Sequence, residues 1–598
     1  MEISVVIVIS GHIISTWSDL MEEIRPSHKA FWKITKALKT EGYTPIPPLK
    51  RPNGTTALDD AEVAECIADS IETQCSHVSP PHDIAHINSI EEEVLQKTSL
   101  EPKDDLTPVS LSEVQLLVKS LKTRKAPGLD GVSNKAIKCF SQPLLSLLVA
   151  IFNACLQNCY FPSVWKEAEV IGIHKPGKPR DLPASYRPIS LLSGLAKLFE
   201  RVLKTRLSNH LFGKGLIIDE QFGFRPAHSC PQQVLRLVEY VMEGFKTKQK
   251  TVAVFFDVAK AFDRVWHAGL VYKLYSLEVP DHLIFISQNF LPNRYFTVRH
   301  ERTHSNRRLI RAGVPQGSAL SPLLYSAYTN DIPRPTSGVQ LALFADDTAL
   351  FFKSRTRRSI FRHLPKAIDE LGQWFRKWRI ELNPDKSAAI QFKYSKNRSH
   401  LVVDRNTPNL KMLNARIPWQ RSYKYLVVTL DKNLHFREHI ARVRKNSLFY
   451  TARLGAMLGR KSKLSMRNKR TLYKMCIRTV MTYASPVFAH ADSKVLYRLQ
   501  VVQNKFCRAA TDAHWCVRNS ILHRDMELPT LTKYMKDASK RFFDIAGSHP
   551  NALLRAAIDY QPPPPNHFLR RPRNVLIDPP DALTAAVDSL NDVNDTHD

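Results

Sequence analysis

Two adjacent aspartates, Asp346 and Asp347, lie at the centre of an apolar segment that runs from Leu341 to Phe352. Two apolar arms around a polar pair predict a β-hairpin that places both carboxylates at its tight turn. Like charges so close together repel, and divalent cations are the usual compensation because hard cations prefer carboxylate oxygen. The pair alone is weak evidence, because Asp-Asp also begins at Asp59 and Asp104 and an exposed polar turn is the plain alternative.

A third aspartate, Asp257, follows the buried-type strand Val252 to Phe256. A carboxylate at the end of such a strand can face the turn of the hairpin. Three carboxylates from two strands can hold two Mg²⁺ ions about 3.5–4 Å apart, one activating an attacking oxygen and one clamping a triphosphate. The three aspartates therefore predict a site for nucleotidyl transfer with two Mg²⁺ as cofactors, for which Mn²⁺ is a substitute.

The elements that must position these aspartates form a mixed pattern. Strand-like runs occur at Ala168–Ile173, Val252–Phe256, Leu341–Phe344, Thr348–Phe352 and Ala388–Phe392. Long helical stretches separate them, so the sequence predicts an α+β fold with a small antiparallel sheet. A helix capped by Ser110 begins the regular pattern, and after Leu430 the chain is almost wholly helical to about residue 547.

The two ends of the chain differ from this middle part. Residues 1–109 are predicted to form a mostly helical leader of mixed charge. The other end has a proline run at Pro562 to Pro565, and six Asp without any Lys or Arg from Asn574 to Asp598. This composition predicts a disordered tail over residues 549–598.

The net charge of +30 requires an anionic partner. Nucleic acid, an acidic membrane surface and an acidic protein would each satisfy it, with a polyphosphate partner favoured. The placement of the charge is more informative: His439 to Ala491 contains no Asp or Glu, whereas twelve Lys or Arg occur from Arg442 to Arg478. Their helix-like spacing predicts a basic helical surface, and a generic solvated face gives no reason to exclude acids completely.

The nine cysteines are scattered and form no C-x2-C pairs. Such usage is typical of a reducing, intracellular setting rather than a disulfide framework. The apolar run at the start of the chain is too short to span a bilayer and lacks the basic flank of a secretory signal. We therefore expect a location in the cytoplasm, the nucleus or both, with no transmembrane segment.

Motifs in chain order resemble those of the reverse transcriptases of non-LTR retrotransposons, in particular the jockey-like group. The fingers-type motifs are Lys125-Ala-Pro-Gly-Leu-Asp-Gly131, His174-Lys-Pro-Gly-Lys178, Ser185-Tyr-Arg-Pro-Ile-Ser-Leu-Leu192 and Glu220-Gln-Phe-Gly-Phe-Arg225. The palm-type motifs are Phe256-Asp-Val-Ala-Lys-Ala-Phe-Asp263, Gly313-Val-Pro-Gln-Gly-Ser-Ala-Leu-Ser-Pro322, Phe344-Ala-Asp-Asp347, Leu382-Asn-Pro-Asp-Lys-Ser387 and Tyr425-Leu-Val-Val-Thr-Leu-Asp431. The resemblance covers most of the chain, from about residue 31 to residue 519.

This resemblance implies a right-hand polymerase that copies retrotransposon RNA into DNA from a DNA primer and deoxynucleoside triphosphates. It implies a segment leading into the fingers at 110–153, a fingers and palm domain at 154–430, and a helical thumb with a C-terminal helical region at 431–548. Asp257 and Asp346 would bridge both metal ions, with the carbonyl of Val258 as a further ligand and Asp347 completing the site.

The resemblance also implies residues that bind the nucleotide. Phe262 falls where the family has an aromatic gate against the sugar 2′-hydroxyl, and a core aromatic residue is the alternative. Gln316 and Gly317 would contact the nucleotide and template, although a simple turn before a helix would have the same sequence.

Cationic residues complete the implied site. Arg187 and one of Lys175 or Lys178 would neutralise the triphosphate. Lys386 would protonate the departing pyrophosphate, and a surface lysine is the alternative. The thumb would contact phosphates through Arg442, Arg444, Lys445, Arg453, Arg460, Lys461, Lys463, Arg467, Lys469 and Arg470.

Asp263 shares its motif with Asp257, but it is expected to orient or cap a helix rather than to bind metal. Val427 departs from the family pattern, which has glycine at this turn, and a β-branched residue there would strain the backbone beneath the primer end. The sequence shows no endonuclease domain. A catalytically weak or inactive RNA-binding remnant therefore remains the alternative to an active polymerase.

Overall fold

The structure is a computed structural model that describes residues 7–9, 12–14, 21–22, 24–27, 29–39, 45–77, 83–104, 106–383, 386–394, 401–564, 567 and 569–595. It has the mixed helix and sheet content that the sequence predicts, and the α+β class is confirmed. Among the described helices, none combines the length and the apolar composition that crossing a bilayer requires.

The strands in the described residues are short and mostly antiparallel. They are β1 (Ile7–Ile9), β2 (His12–Ile14), β3 (Leu49–Lys50), β4 (Thr56–Ala57), β5 (Glu167–His174), β6 (Tyr186–Leu191), β7 (Lys250–Phe256), β8 (Arg294–His300), β9 (Thr303–His304), β10 (Arg308–Ile310), β11 (Gln340–Phe344), β12 (Asp347–Ser354), β13 (Ala388–Phe392), β14 (Leu410–Met412), β15 (Ala415–Ile417), β16 (Ser422–Tyr425) and β17 (Val428–Asp431).

The helices in the described residues flank these strands and fill the second half of the chain. They are α1 (Lys29–Lys39), α2 (Asp60–Gln74), α3 (Ile84–Thr98), α4 (Leu111–Lys119), α5 (Asn134–Ile137), α6 (Gln142–Gln157), α7 (Gly194–Gly213), α8 (Cys230–Lys246), α9 (His267–Ser276), α10 (Asp281–Phe290), α11 (Ser321–Tyr328), α12 (Arg357–Lys377), α13 (Arg437–Arg453), α14 (Gly455–Leu458), α15 (Met466–Leu472), α16 (Thr479–Thr482), α17 (Ser485–Phe488), α18 (Ser493–Thr511), α19 (Asn519–Asp525), α20 (Leu531–Gly547), α21 (Ala552–Ile558) and α22 (Ala582–Asp595).

The central sheet is antiparallel and has the strand order β11-β12-β7-β13. Along β7, Val252, Val254 and Phe256 pack in one hydrophobic core, whereas Ala253 and Phe255 pack in another. Successive side chains of a strand point to opposite faces, so this sheet is covered on both faces. Burial on both faces explains why β7 is a continuous apolar run rather than an alternating one.

A second sheet has the order β10-β8-β5-β6, with β9 paired to β8, and it includes a parallel pair between β5 and β8. The predicted run Ala168–Ile173 identified only β5 of this sheet. The other strands mix charged and apolar residues, such as Arg294 and His300 at the ends of β8, and gave no clear alternating signal.

The N-terminal residues do not pack as a separate leader. Helix α2 buries Ile67 and Ile71 in one cluster with Val170, Tyr186 and Val298 of the second sheet. Helix α3 contributes to the core beneath the central sheet, and α1 packs in the cluster that contains α13. The change of pattern near residue 110 therefore marks no boundary between cores, because the amphipathic helices before it bury their apolar faces on elements after it.

The C-terminal residues also differ from the expected disordered tail. The structure has a 3₁₀ helix at Pro572–Leu576 and helix α22 after it. Arg571, which is 4% exposed, forms an ion pair of 2.8 Å with the buried Glu239 of α8. The overall hydrophobicity of this segment is low, so its composition did not indicate the few apolar side chains that are buried, among them Leu569 and Val575.

Candidate active site

Asp346 lies in the turn between β11 and β12, and Asp347 is the first residue of β12. Phe344 pairs with Asp347 across the hairpin, which leaves Ala345 and Asp346 as the two turn residues. Ala345 has φ +57°, a left-handed conformation that two-residue hairpin turns favour because it matches the twist of the strands. The predicted hairpin is confirmed, with Asp346 in its two-residue turn and Asp347 directly after the turn as the first residue of β12.

Asp257 directly follows β7, the neighbour of β12 in the central sheet. Phe256 pairs with Thr348 in this antiparallel ladder, so the next residues outward, Asp257 and Asp347, are neighbours across the two strands. The backbone of Asp257 is held by the segment before β13, since Asn383 N donates to its carbonyl at 2.8 Å. The structure thus brings the three aspartates to one end of the sheet.

The three carboxylates interact through their charges. Burial raises the pKa of Asp347 to about 7, and the negative charges of Asp346 and Asp257 add to the rise. Burial also raises the pKa of Asp346, with a further contribution from Asp257, whereas Arg187 and Lys386 oppose the rise. Mutual repulsion of half-buried carboxylates is the electrostatic condition that a bound divalent cation relieves.

Lys386 is placed directly on one of these carboxylates. Its Nζ lies 2.9 Å from Oδ2 of Asp257. Within the described ranges, no three His, Cys, Asp or Glu side chains converge closely enough to hold a metal ion as they stand. The oxygen donors are of the type that Mg²⁺ prefers, but Asp257 would have to exchange its lysine partner for a metal. Pro384 and Asp385 of the same motif lie outside the described residues.

Two neighbours complete the immediate surroundings of the aspartates. Val258 is buried and forms an isolated bridge with Leu382, and its own carbonyl accepts no backbone hydrogen bond among the described residues. Tyr423 of β16 stacks on Phe255 with a centroid distance of 4.6 Å. Burial raises the pKa of Tyr423 to about 12, and the charges of Asp347 and Asp257 contribute.

Of the cationic residues predicted for the triphosphate, Arg187 is the one whose charge reaches an aspartate of the site. Arg187 is exposed on β6, and its charge acts on Asp346. Lys175 donates to the carbonyl of Ala184 at 2.8 Å. Burial lowers the pKa of Lys175, and the positive charges of Arg187, Lys386 and Lys178 lower it further. Lys175 is thus half-buried near Arg187 and Lys386, whereas Lys178 is exposed.

Phe262 forms one wall of this region. Its ring stacks on the ring of Tyr325 at a centroid distance of 5.0 Å and meets the ring of Phe224 edge-on at 5.8 Å. Phe262 is half-buried, which distinguishes it from the fully buried Tyr325 behind it. Two aromatic contacts therefore fix the orientation of the Phe262 ring.

Gln316 and Gly317 occupy a turn before α11. The carbonyl of Gln316 accepts from Ser190 N at 2.9 Å, and its side-chain Nε2 donates to Asp263 Oδ1 at 2.7 Å. Gly317 has φ +124°, and a Cβ there would lie 2.7 Å from the carbonyl oxygen of Ser190, so only glycine fits. Asp263 lies in a turn rather than in a helix, because α9 begins only at His267, and the helix-capping interpretation of Asp263 is wrong.

Comparison with known proteins identifies the central part of the chain. Residues 173–430 match the family model for "Reverse transcriptase (RNA-dependent DNA polymerase)". These residues form a reverse transcriptase domain. The resemblance that the ordered motifs indicated is therefore confirmed, and the domain contains all three aspartates together with Arg187, Phe262 and Gln316.

Curated relatives extend the similarity beyond this domain. The chain is 34% identical over 540 residues to the probable RNA-directed DNA polymerase from transposon BS of Drosophila melanogaster, which covers 89% of this chain and 58% of that protein. It is 33% identical over 552 residues to the X-element protein, covering 92% of this chain and 59% of that protein. It is 32% identical over 551 residues to the RNA-directed DNA polymerase from mobile element jockey of Drosophila melanogaster, and this match covers 91% of this chain and 58% of that protein. The chain thus spans a little under three fifths of the length of these relatives.

At the C-terminal end of the reverse transcriptase domain, β16 and β17 form a hairpin with Leu426 and Val427 at its turn. Their φ angles are +44° and +73°. A β-branched residue is rarely found with a left-handed φ, so the expected backbone strain at Val427 arises from its positive φ angle. Arg442 of α13 donates from Nη2 to the carbonyl of Val427 and from Nε to Thr429 Oγ1 at 3.1 Å.

The basic segment after the reverse transcriptase domain is helical, as predicted, but its residues serve different purposes. Lys469 is 4% exposed and donates to the carbonyls of Gly459 and Ala510, each at 3.3 Å, so it is not available to a phosphate. Arg442 fixes the β16–β17 turn, and Arg453 donates to the carbonyl of Leu38 at 3.0 Å.

The other basic residues of this segment divide into two groups. Ion pairs with acids from other segments involve Arg460 with Asp512, Lys463 with Glu22, and Arg470 with Glu527. Lys445, Lys461 and Arg467 are exposed, and Arg444 is half-exposed. The side chains of these last four residues have no hydrogen-bond or ion-pair partner among the described residues, although the charge of Arg467 acts on Glu527, and they are the best placed for contact with an external anion.

Sequence reasoning did not identify Gln221 and Gly223 as part of the site. Gln221 Oε1 accepts from Ala345 N at 3.0 Å and from Gly223 N at 2.8 Å, which holds the turn that carries Asp346. A Cβ at Gly223 would overlap the backbone of Ala345. The only available signal was the Glu220–Arg225 motif itself, and the motif gives no indication that it contacts a hairpin more than a hundred residues later.

Proposed function

We propose that this chain is an RNA-directed DNA polymerase that copies retrotransposon RNA into DNA by two-metal-ion nucleotidyl transfer. The observation that carries the proposal is the meeting of Asp257, Asp346 and Asp347 at one end of the central sheet. Their mutual repulsion and their oxygen donors fit divalent cations. Two Mg²⁺ held by these carboxylates and the carbonyl of Val258 would supply activation of the primer 3′-hydroxyl and neutralise the triphosphate.

The residues around the aspartates suit a deoxynucleoside triphosphate. The positive charge of Arg187 acts on Asp346, and Lys175 lies near Arg187, so we assign both residues to the triphosphate. We assign Phe262 to exclusion of the sugar 2′-hydroxyl, because its ring is held rigidly by two aromatic neighbours. Gln316 and Gly317 are assigned to the nucleotide and its template base.

The nucleic-acid partner is assigned to the second half of the chain. In the right-hand arrangement that the resemblance implies, β5, β6 and β8 belong to the fingers, the central sheet to the palm and the helices from α13 onward to the thumb. The exposed Lys445, Lys461 and Arg467 would contact template–primer phosphates, so affinity should fall steeply with salt. We expect this activity in the cytoplasm or nucleus, where template RNA is present.

The alternative function is a catalytically weak RNA-binding remnant. The specific observation in its favour is the left-handed backbone at Val427, which strains the turn next to α13. The intact aspartates and their placement favour the active enzyme.

Primer extension on poly-rA/oligo-dT with Mg²⁺ or Mn²⁺ distinguishes the two. We expect DNA synthesis that Asp346→Asn abolishes. Asp59→Asn is the matched control, because Asp59 belongs to another Asp-Asp pair and only caps α2, a task that asparagine also performs. RNA binding without any synthesis sensitive to Asp346→Asn would support the remnant.

A further inference from the structure

The turn Gly313–Gly317 is joined tightly to the segment that follows Asp257. Val314 N donates to the carbonyl of Phe262 at 2.7 Å, and Gly313 N donates to the carbonyl of Val265 at 2.8 Å. Gly313 has φ +94°, and a Cβ there would lie 2.6 Å from the backbone carbonyl of Asp263. The two backbones are therefore in contact, and neither can shift relative to the other without breaking these hydrogen bonds.

Across this contact, one side chain determines the orientation of another. Gln316 Nε2 donates to Asp263 Oδ1 at 2.7 Å, and Asp263 is only 7% exposed. An ionised carboxylate can only accept hydrogen bonds, so it fixes which end of the Gln316 amide faces inward. The amide oxygen, Oε1, is then the end that faces away, and it has no hydrogen-bond partner among the described residues.

The surroundings of Asp263 favour this role. Burial raises the pKa of Asp263 to about 6, and the hydrogen bond from Gln316 and the positive charges of Lys260, Lys175 and Arg264 oppose that rise. With its pKa at about 6, the carboxylate is mostly ionised at neutral pH. The cavity beside the pair is about 20 Å³, room for about one water molecule, so the amide has little space for other orientations.

We propose that Asp263 is a positioning residue for nucleotide selection, holding the Gln316 amide so that Oε1 accepts a hydrogen bond from a donor group of the incoming nucleotide. This inference rests on the proposed polymerase function. Asp263 itself does not touch the nucleotide, because it lies behind Gln316. Its removal would free the amide to rotate and would leave Gln316 without its anchor.

A double-mutant cycle tests the proposal with single-nucleotide incorporation by the full chain. The variants are Asp263→Ala, Gln316→Ala and the double variant. We expect each single change to lower kcat/KM for the nucleotide by roughly 10- to 100-fold, the range of a hydrogen bond to a charged group. The effect should appear mainly in KM, and the double variant should be no worse than Gln316→Ala alone. Asp263→Asn keeps an acceptor oxygen but adds an N–H donor that can hold the Gln316 amide the other way round, so it should restore only part of the loss.

Two controls separate positioning from simple destabilisation. Asp404→Ala removes another partly buried aspartate of the same domain, which pairs with Lys250 and Lys393, and should lower the melting temperature without changing KM. Losses that multiply in the double variant, or a fall in kcat alone that follows the melting temperature, would overturn the positioning role. Wild-type protein without synthesis sensitive to Asp346→Asn would instead overturn the polymerase function, and the inference with it.

Discussion

Lys386 Nζ lies 2.9 Å from Oδ2 of Asp257, the carboxylate that we assign to both metal ions. The two side chains are 52% and 30% exposed, so the pair contributes little to stability. The ion pair matters for metal binding, because a metal ion at Asp257 would have to compete with the Lys386 ammonium group for the same oxygen. Two roles of Lys386 can therefore be tested, competition with a metal ion for Asp257 and the predicted donation of a proton to pyrophosphate.

Lys386→Met should separate these roles. Without the competing cation, we expect the Mg²⁺ concentration for half-maximal extension to fall by up to about fivefold, the equivalent of an exposed ion pair. If Lys386 also donates a proton, kcat should fall at saturating Mg²⁺. Lys393→Met is the matched control, since Lys393 pairs with Asp404 at 3.0 Å with 46% and 27% exposure. An unchanged Mg²⁺ dependence would show that the ion pair does not oppose metal binding.

Val427→Gly should stabilise the β16–β17 turn. Valine at φ +73° costs on the order of 1–2 kcal/mol of folding free energy, and glycine removes that cost. Glycine also raises the conformational entropy of the unfolded chain, which offsets part of the gain. We expect a net gain of about 1 kcal/mol in the urea unfolding transition and higher primer extension. Ala415→Gly, at the first residue of β15, which does not itself have a positive φ, should lower stability instead. No gain in either measurement would show that the turn tolerates valine.

Phe262→Ala should admit ribonucleotides. Removal of the ring opens the space beside the sugar, and we expect discrimination against ribonucleotides to fall on the order of 10- to 100-fold. Competition between dTTP and UTP on poly-rA measures this ratio. Tyr325→Phe keeps the stacked ring at 5.0 Å but removes the hydroxyl, so it should leave the ratio unchanged. Equal discrimination in wild type and Phe262→Ala would assign the sugar gate elsewhere.

The hairpin and the strand that carry the aspartates were predictable because their signals are local. Asp346 and Asp347 stand between two apolar arms, and β13 begins and ends where its apolar run does, at Ala388 and Phe392. The ordered motifs then supplied the family, which no single aspartate pair could have done. Whether Asp257, Asp346 and Asp347 hold metal ions stays a prediction.

Features that depend on packing between distant segments were not predictable. Gln221 contacts Ala345 across more than a hundred residues, and nothing near either residue indicates the pairing. Lys469 has the same helical spacing as its exposed neighbours, so charge alone could not show that it is buried against two carbonyls. Arg571 stands in a segment of low hydrophobicity, yet its ion pair with Glu239 joins that segment to α8.

Arg467 and Lys469 provide the sharpest test of the basic surface, because they are two residues apart and differ in burial. Arg467 is exposed, so Arg467→Ala should weaken binding of an RNA–DNA duplex and reduce the slope of log affinity against log salt by about 0.7–0.9. Lys469→Met should leave that slope unchanged. It should instead destabilise the protein by about 1–3 kcal/mol, since the carbonyls of Gly459 and Ala510 lose their donor. Filter binding at several salt concentrations, together with urea unfolding, measures both effects. A lower salt slope in Lys469→Met with normal stability would mean that Lys469 reaches a phosphate, contrary to its buried position.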